Sequence, residues 1–134
     1  MNTPQPRNQH LSSAQKAVLF DKATEAPFTG KLLHNDATGT YVCGNCGAVL
    51  FDSTTKFDSG SGWPSFNEAA QSGAVRLVPD TSHGMERVEV TCGECSGHLG
   101  HLFEDAYDQP TGQRFCINSA SLDFVPRKGT DGMA

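Results

Sequence analysis

The sequence contains no long apolar segment. Its longest uninterrupted apolar runs are only a few residues, such as residues 17–20, whereas a membrane-spanning helix needs about 20. The first ten residues, MNTPQPRNQH, also lack the apolar stretch that marks a secretory signal peptide. We therefore expect a soluble, cytoplasmic protein that does not work at a membrane.

Positive charge is scarce, and so are Trp and Tyr. Ten Lys and Arg residues stand against 15 Asp and Glu residues, so the formal net charge is −5. The chain has no basic run, and it offers only one Trp and two Tyr residues. Nucleic-acid binding needs cationic side chains for phosphates and often aromatic rings for bases. The composition therefore argues against nucleic-acid binding and against electrostatic binding to a membrane surface.

Glycine and proline are too few for a disordered or fibrous chain. The 14 Gly and 7 Pro residues make up about 16% of the 134 residues, and disordered low-complexity chains reach roughly 25–30%. A chain of this length suggests one domain. We predict a flexible arm over residues 1–11, a single domain over residues 12–125 and a C-terminal tail over residues 126–134.

Most of the chain alternates short stretches of β-branched and aromatic residues with turn residues, which predicts strands. Before them, Ser12 and Gln15 form the capping-box pattern of a helix that runs to about Lys22. Ser65 and Glu68 repeat that pattern and predict one helical turn within the strand region. The predicted strands are 40–43, 48–51, 75–78, 86–91, 98–103, 114–118 and 121–125. The expected fold is mainly β, a small antiparallel sheet or open barrel with a short N-terminal helix.

Four of the five cysteines form two CxxC pairs, CGNC at 43–46 and CGEC at 92–95. Two such pairs about 45 residues apart are typical of a closed tetrahedral zinc site with four thiolate ligands. The alternatives are local disulfides, which the missing export signal disfavours, and redox-active pairs, which normally lie in a βαβ unit. We predict one structural zinc ion per chain, bound by Cys43, Cys46, Cys92 and Cys95.

The fifth cysteine lies in a predicted strand among polar neighbours. Strand alternation places Phe115 and Ile117 on one face. Arg114, Cys116 and Asn118 then share the other face. A guanidinium and an amide beside a thiol favour its reactive thiolate form. An unpaired strand cysteine is more often a small buried hydrophobic residue, so the strand alone is weak evidence for a reactive thiol and leaves both interpretations open.

Two histidines follow the second cysteine pair, in the segment GHLGHLF at 97–103. Either could act as an acid or a base near neutral pH, and either could instead be a further metal ligand or a buried structural histidine. In a regular strand, His98 and His101 would point to opposite faces. Both can reach one site only if Gly100 lies in a β-bulge.

The only tryptophan, Trp63, lies in the glycine-rich segment SGSGWPSF at 59–66. A loop position makes it hard to place in the centre of a core. It is therefore interpreted as a platform for an apolar or methyl-bearing ligand. The alternative is a loop aromatic residue folded over the core.

Together, these segments resemble the methionine-R-sulfoxide reductases, the B-type enzymes, over about residues 17–124. The matching segments are PFTGKLLHN (27–35), CGNCGAVLF (43–51), KFDSGSGWPSF (56–66), SHGMERVEV (82–90), CGECSGHLGHLFEDA (92–106) and PTGQRFCINSASLDF (110–124). The resemblance implies a zinc-binding fold of two small antiparallel sheets. It also implies reduction of the R epimer of methionine sulfoxide, either protein-bound or free.

The resemblance further implies a role for individual side chains. Cys116 would be the nucleophile that attacks the sulfoxide sulfur and becomes a sulfenic acid. His101 would protonate the sulfoxide oxygen, with His98 and Asn118 as neighbours in the active site. Trp63 would pack on the S-methyl group of the substrate. The other implied substrate-binding residues are His83, Asp105 and Arg114.

Position 61 departs from the pattern of many members of that family, which carry a second, resolving cysteine there. This chain has Ser61, so the usual disulfide with Cys116 cannot form. We expect an external thiol to reduce the sulfenic acid, with thioredoxin, glutaredoxin with glutathione, or another small thiol as candidates. The alternative from another class is a zinc-containing protein-interaction module of the same fold without catalysis.

Overall fold

The structure, a computed structural model, describes residues 6–81 and 84–127. Within these ranges it contains one α-helix and nine strands, which form two antiparallel sheets. The expected mainly β fold with an N-terminal helix and two antiparallel sheets is therefore confirmed. The predictions for residues 1–5, for His83 and for residues 128–134 lie outside the described residues.

Helix α1 spans Ser13–Asp21 and begins as the capping box predicts. The Ser12 hydroxyl accepts the Gln15 backbone N–H at 3.1 Å, and the Gln15 side chain accepts the Ser12 N–H at 2.9 Å. The helix ends at Lys22, whose φ of 60° lies in the left-handed region. The segment that follows, residues 23–28, contacts Trp63, whose indole N–H donates to the Glu25 carbonyl.

The smaller sheet has the strand order β2-β1-β9. Its strands are β1 (Gly39–Cys43), β2 (Val49–Asp52) and β9 (Leu122–Pro126). Burial alternates along β1, which presents Tyr41 and Cys43 to the interior. The first cysteine pair therefore begins at the end of a strand that is held from both sides.

The larger sheet has the strand order β3-β4-β8-β7-β6-β5. Its strands are β3 (Lys56–Phe57), β4 (Ser65–Phe66), β5 (Val75–Asp80), β6 (Arg87–Cys92), β7 (His98–Phe103) and β8 (Arg114–Ile117). The helical turn predicted from Ser65 and Glu68 is wrong, because this segment pairs with β8 instead. The pairing buries Phe66 completely, and this burial outweighs a local capping preference.

The two sheets pack through aromatic rings. Phe51 of β2 stacks on Phe66 of β4 with ring centroids 4.4 Å apart, and Tyr41 meets the same ring edge-on at 5.0 Å. Phe115 of β8 joins this core and is 5% exposed. No helix in the described ranges combines the length and the apolar character needed to cross a bilayer.

A β-bulge interrupts the pairing of β6 with β7. Val90 pairs with Gly100, but the next residue, Thr91, pairs with His98, so Leu99 is an extra residue on β7. The β-bulge that was predicted to be necessary for His98 and His101 to reach one site is therefore present. It brings the rings of His98 and His101 into edge-to-face contact, with centroids 5.6 Å apart.

Candidate active site and metal centre

Cys116 lies in the middle of β8 and is 8% exposed. Nη1 of Arg114, two residues earlier on the same face, donates to Cys116 Sγ at 2.8 Å. The same guanidinium donates through Nε and Nη2 to both carboxylate oxygens of Asp105, each at 2.9 Å, and it lies 4.4 Å above the Phe103 ring. The hydrogen bonds between Arg114 and Asp105 raise the pKa of Arg114 and lower the pKa of Asp105. The charged guanidinium is thus held directly against the sulfur.

Two serine hydroxyls contact Cys116, and a third joins these two. Ser61 Oγ lies 3.5 Å and Ser65 Oγ lies 3.7 Å from Cys116 Sγ. Ser59 Oγ connects these two hydroxyls, at 2.8 Å from Ser61 and 2.7 Å from Ser65. The side chain at position 61 therefore touches the sulfur of Cys116. Sequence reasoning missed Ser65, which the β4–β8 pairing places opposite this cysteine. It also missed Ser59, which contacts only the other two hydroxyls.

Cys116 lies at a small cleft of about 100 Å³. For comparison, a 150 Å³ apolar cavity in another protein accommodates benzene. The cleft therefore matches a group of a few heavy atoms, such as the end of a side chain. The lining residues are Thr24, Trp63, Arg87, Gly100, His101, Phe103, Cys116 and Asn118.

One segment after α1 holds two of these lining side chains. The Trp63 indole N–H donates to the Glu25 carbonyl at 3.0 Å, and the Glu25 backbone N–H donates to Asn118 Oδ1 at 3.0 Å. The Glu25 carboxylate accepts the Ala120 N–H at 2.9 Å. Asn118 also donates through Nδ2 to the Leu99 carbonyl at 2.9 Å. Glu25, which sequence reasoning missed, thus joins Trp63 to Asn118.

Each of the two histidines is bonded to a carboxylate. His101 lines the cleft, and its Nε2 lies 2.8 Å from Asp80 Oδ2 at the end of β5. His98 is buried behind it, with Nδ1 2.8 Å from Glu89 Oε2. Burial lowers the pKa of His98, although Glu89 opposes this shift. Asp80 and Glu89 were not predicted. They reach the histidines only through the pairing of β5, β6 and β7, which no local sequence pattern specifies.

The structure gathers most of the predicted active-site residues around one sulfur. Trp63, His101 and Asn118 line the cleft with Cys116. Arg114 contacts the sulfur, and Asp105 holds Arg114. His98 lies one layer deeper. Since His83 falls outside the described residues, its predicted contribution remains a prediction.

The four paired cysteines form a second cluster. Their Sγ atoms all lie within 4.8 Å of one another. Cys43 lies 3.7 Å from Cys95, and Cys46 lies 3.6 Å from Cys92. A tetrahedral zinc ion with Zn–S bonds of about 2.3 Å requires S–S separations of about 3.8 Å. The cluster therefore fits a closed four-thiolate zinc site, as predicted.

Hydrogen bonds at this cluster also suit thiolates. The Asn45 and Glu94 backbone N–H groups donate to Cys43 Sγ and Cys92 Sγ, each at 3.4 Å. Hydrogen bonds with Cys92 and Cys95 raise the pKa of Cys43, and the hydrogen bond with Cys43 lowers that of Cys95. A divalent ion would bind all four as thiolates.

A comparison with protein-family models matches residues 11–126 to the SelR domain. The matched range includes both CxxC pairs, Trp63, the two histidines of β7 and Cys116.

Proposed function

The chain belongs to the SelR-domain family, the methionine-R-sulfoxide reductases, and from this premise we propose a one-cysteine catalytic cycle at Cys116. Membership of this family indicates that the protein is an oxidoreductase that acts on methionine sulfoxide. The observation that carries the finer proposal is the contact between Cys116 Sγ and Arg114 Nη1 at 2.8 Å, beside a cleft that fits a methyl sulfoxide group.

In the first half of the cycle, the Cys116 thiolate attacks the sulfoxide sulfur. A bond forms between the two sulfurs, and the protonated oxygen then passes from the substrate sulfur to the Cys116 sulfur as its hydroxyl. The bond between the sulfurs breaks, so the thioether is released and Cys116 becomes a sulfenic acid. Cys116 is oxidised by two electrons, and the sulfoxide is reduced by two. Arg114 stabilises the thiolate before attack, because a cation and an N–H donor adjoin the sulfur.

The sulfoxide oxygen must be protonated before its bond to sulfur breaks. His101 lines the cleft and is our assignment for this acid. Asp80 accepts a hydrogen bond from its Nε2–H, so the proton given to a bound oxygen would come from Nδ1 of the doubly protonated ring. Trp63 forms the wall for the S-methyl group. The R epimer, on which this family acts, would present its oxygen to His101 when its methyl group lies against Trp63.

In the second half, an external thiol regenerates Cys116. A first thiol condenses with the sulfenic acid, releases water and forms a mixed disulfide; a second thiol then frees Cys116 and leaves as a disulfide. The contact between Ser61 and Cys116 supports this route, because the residue best placed to resolve the sulfenic acid cannot form a disulfide. Thioredoxin, glutaredoxin with glutathione, and small thiols are the candidate reductants.

The four-cysteine cluster would hold one zinc ion. Bound there, it would contribute folding free energy rather than catalysis, because four thiolate ligands leave no open position for a substrate or water. Cys43 pairs with Leu122, and the Gly44 N–H donates to the Ser121 carbonyl at 2.9 Å. These contacts connect the metal centre to the segment that follows the catalytic strand.

The assay that tests the proposal measures consumption of each methionine sulfoxide epimer, free and in a peptide, with a small dithiol as reductant. We expect the zinc-loaded protein to consume only the R epimer and Cys116→Ser to consume neither. Ser59→Ala is the matched control, because it removes a hydroxyl that contacts the two neighbouring serines and not the sulfur. Consumption of neither epimer with dithiol, thioredoxin or glutaredoxin would instead favour a protein-interaction module.

A further inference from the structure

A buried carboxylate–histidine pair lies behind the cleft. Glu89 of β6 and His98 of β7 have side chains that are 5% and 4% exposed, and Glu89 Oε2 lies 2.8 Å from His98 Nδ1. The other carboxylate oxygen, Oε1, lies 3.3 Å from Nζ of Lys22, whose side chain is 69% exposed. A row of three groups therefore runs from a buried imidazole to a lysine at the surface.

The contact with Glu89 determines which ring nitrogen of His98 carries hydrogen. An ionised carboxylate can only accept, so Nδ1–H donates to Glu89. In the neutral ring, Nε2 then carries the lone pair. This nitrogen is buried without a hydrogen-bond partner among residues 6–81 and 84–127. A buried polar atom left unpaired costs about 1–3 kcal/mol of folding free energy. An unpaired Nε2 of His98 beside His101 is therefore a candidate for a functional role.

The proposed function leaves Glu89 and Lys22 without a role. We propose that Glu89 is a positioning residue for the reductase reaction: it holds His98 in the Nδ1–H tautomer, and together with the opposing charge of Lys22 it sets the pH range in which Nε2 takes up a proton. The part of this inference that concerns catalysis rests on the proposed function. The arrangement of His98, Glu89 and Lys22 is independent of it.

The groups that face His98 act on its charge in opposite directions. Burial lowers its pKa most, Glu89 raises it, and His101 and Lys22 each lower it. Glu89 comes from β6, His101 from β7 itself, and Lys22 from the end of α1. Removal of the negative charge must therefore shift the titration of His98 down, whereas removal of the lysine charge must shift it up.

The test follows the His98 ring by NMR in the zinc-loaded full chain, labelled with ¹⁵N in its histidines. We expect an Nδ1–H tautomer at neutral pH. In Glu89→Gln the titration midpoint of His98 should fall by about one pH unit or more, as for the loss of a counter-charge within about 4–6 Å. In Lys22→Met it should rise by a smaller amount, because the lysine is exposed and acts from beyond the carboxylate.

Shifts of the His98 titration midpoint in opposite directions in the two variants would support the inference. If Glu89 and Lys22 only packed against their neighbours, the direction of the shift would not depend on the sign of the charge removed. An Nε2–H tautomer in the unmodified protein, midpoints that stay unchanged, or shifts in the same direction would overturn it. Should Glu89→Gln not fold, Lys22→Met decides alone, since its side chain lies at the surface: a rise supports the inference, and no change or a fall refutes it.

A kinetic measurement separates this inference from the proposed function. The acidic limb of kcat for the R epimer should move down in Glu89→Gln and up in Lys22→Met, with KM changed less than kcat. If the R epimer is turned over but the acidic limb of kcat moves in neither variant, Glu89 is not a positioning residue for the reaction. If the unmodified protein turns over neither epimer, the proposed function fails, and the NMR titrations still decide the arrangement of the three groups.

Discussion

Gly100→Ala tests whether β7 and β8 must approach as closely as they do beside the nucleophile. A Cβ at this position would lie 3.0 Å from the Cys116 carbonyl carbon and 3.0 Å from Cα of Ile117, and closer still to the Cys116 carbonyl oxygen. Ordinary carbon–carbon contacts lie at about 3.5–4.0 Å. All three neighbours are backbone atoms, so no side chain can rotate away and the two strands must separate.

The expected cost follows from that separation. Overpacking a filled interior costs about 1–3 kcal/mol, and stretching ladder hydrogen bonds around Gly100 and Ile117 adds about 1 kcal/mol. A total of about 2–4 kcal/mol should lower the melting temperature by roughly 8–16 °C, at about 4 °C per kcal/mol for a chain of this size. Activity should fall as well, because the displaced backbone carries Cys116.

Gly112→Ala is the matched control for this substitution. Gly112 has a φ of 70°, and a Cβ added to it would meet no atom within 4 Å, so alanine costs only the left-handed conformation, about 1–2 kcal/mol. Thermal denaturation and turnover of the R epimer should be measured on both variants with zinc bound. Equal melting temperatures for Gly100→Ala and Gly112→Ala, or full activity in Gly100→Ala, would show that β7 and β8 do not need to approach so closely at Cys116.

Three further predictions concern the metal, the resolving position and pH. Zinc analysis should find one ion per chain, and chelation should lower the melting temperature by at least about 10 °C; an unchanged melting temperature would contradict a structural ion. Ser61→Cys should form a disulfide with Cys116 after one equivalent of sulfoxide, because position 61 contacts that sulfur at 3.5 Å; peptide mass mapping that finds only sulfenic acid would contradict this. Burial holds the pKa of His98 below its ordinary value of 6.5, so the unfolded chain binds this proton at higher pH than the folded one. Stability should therefore fall as pH drops from about 6.5 through the folded-state pKa, and a urea midpoint for His98→Gln that falls as steeply as that of the unmodified protein would contradict this.

Features that depend on neighbouring residues could be predicted from the sequence. The capping box of Ser12 and Gln15 starts α1 where expected. Strand alternation placed Arg114 on the face of Cys116, where it contacts the sulfur. The spacing of the cysteine pairs indicated a four-thiolate cluster. Each of these follows from a local period or a short motif.

Features that depend on distant pairing could not be predicted. Ser65 satisfies a capping pattern but joins β4, because pairing with β8 buries the residue after it. Asp80 and Glu89 reach the histidines only through the register of β5, β6 and β7. At the N-terminal end, the Arg7 backbone N–H, within the segment predicted to be a flexible arm, donates to Asn45 Oδ1 at 2.7 Å. No local pattern specifies such a contact.

The placement of Trp63 gives this protein a built-in optical reporter. It is the only tryptophan in the chain, so emission excited at the red edge of indole absorption comes from one side chain. That side chain lines the cleft, and its N–H is bonded to the Glu25 carbonyl. Indole emission responds to the polarity and quenching groups around the ring, so ligand entry and each change at Cys116 should alter its intensity. Stopped-flow fluorescence can therefore time single steps of the cycle without an attached dye.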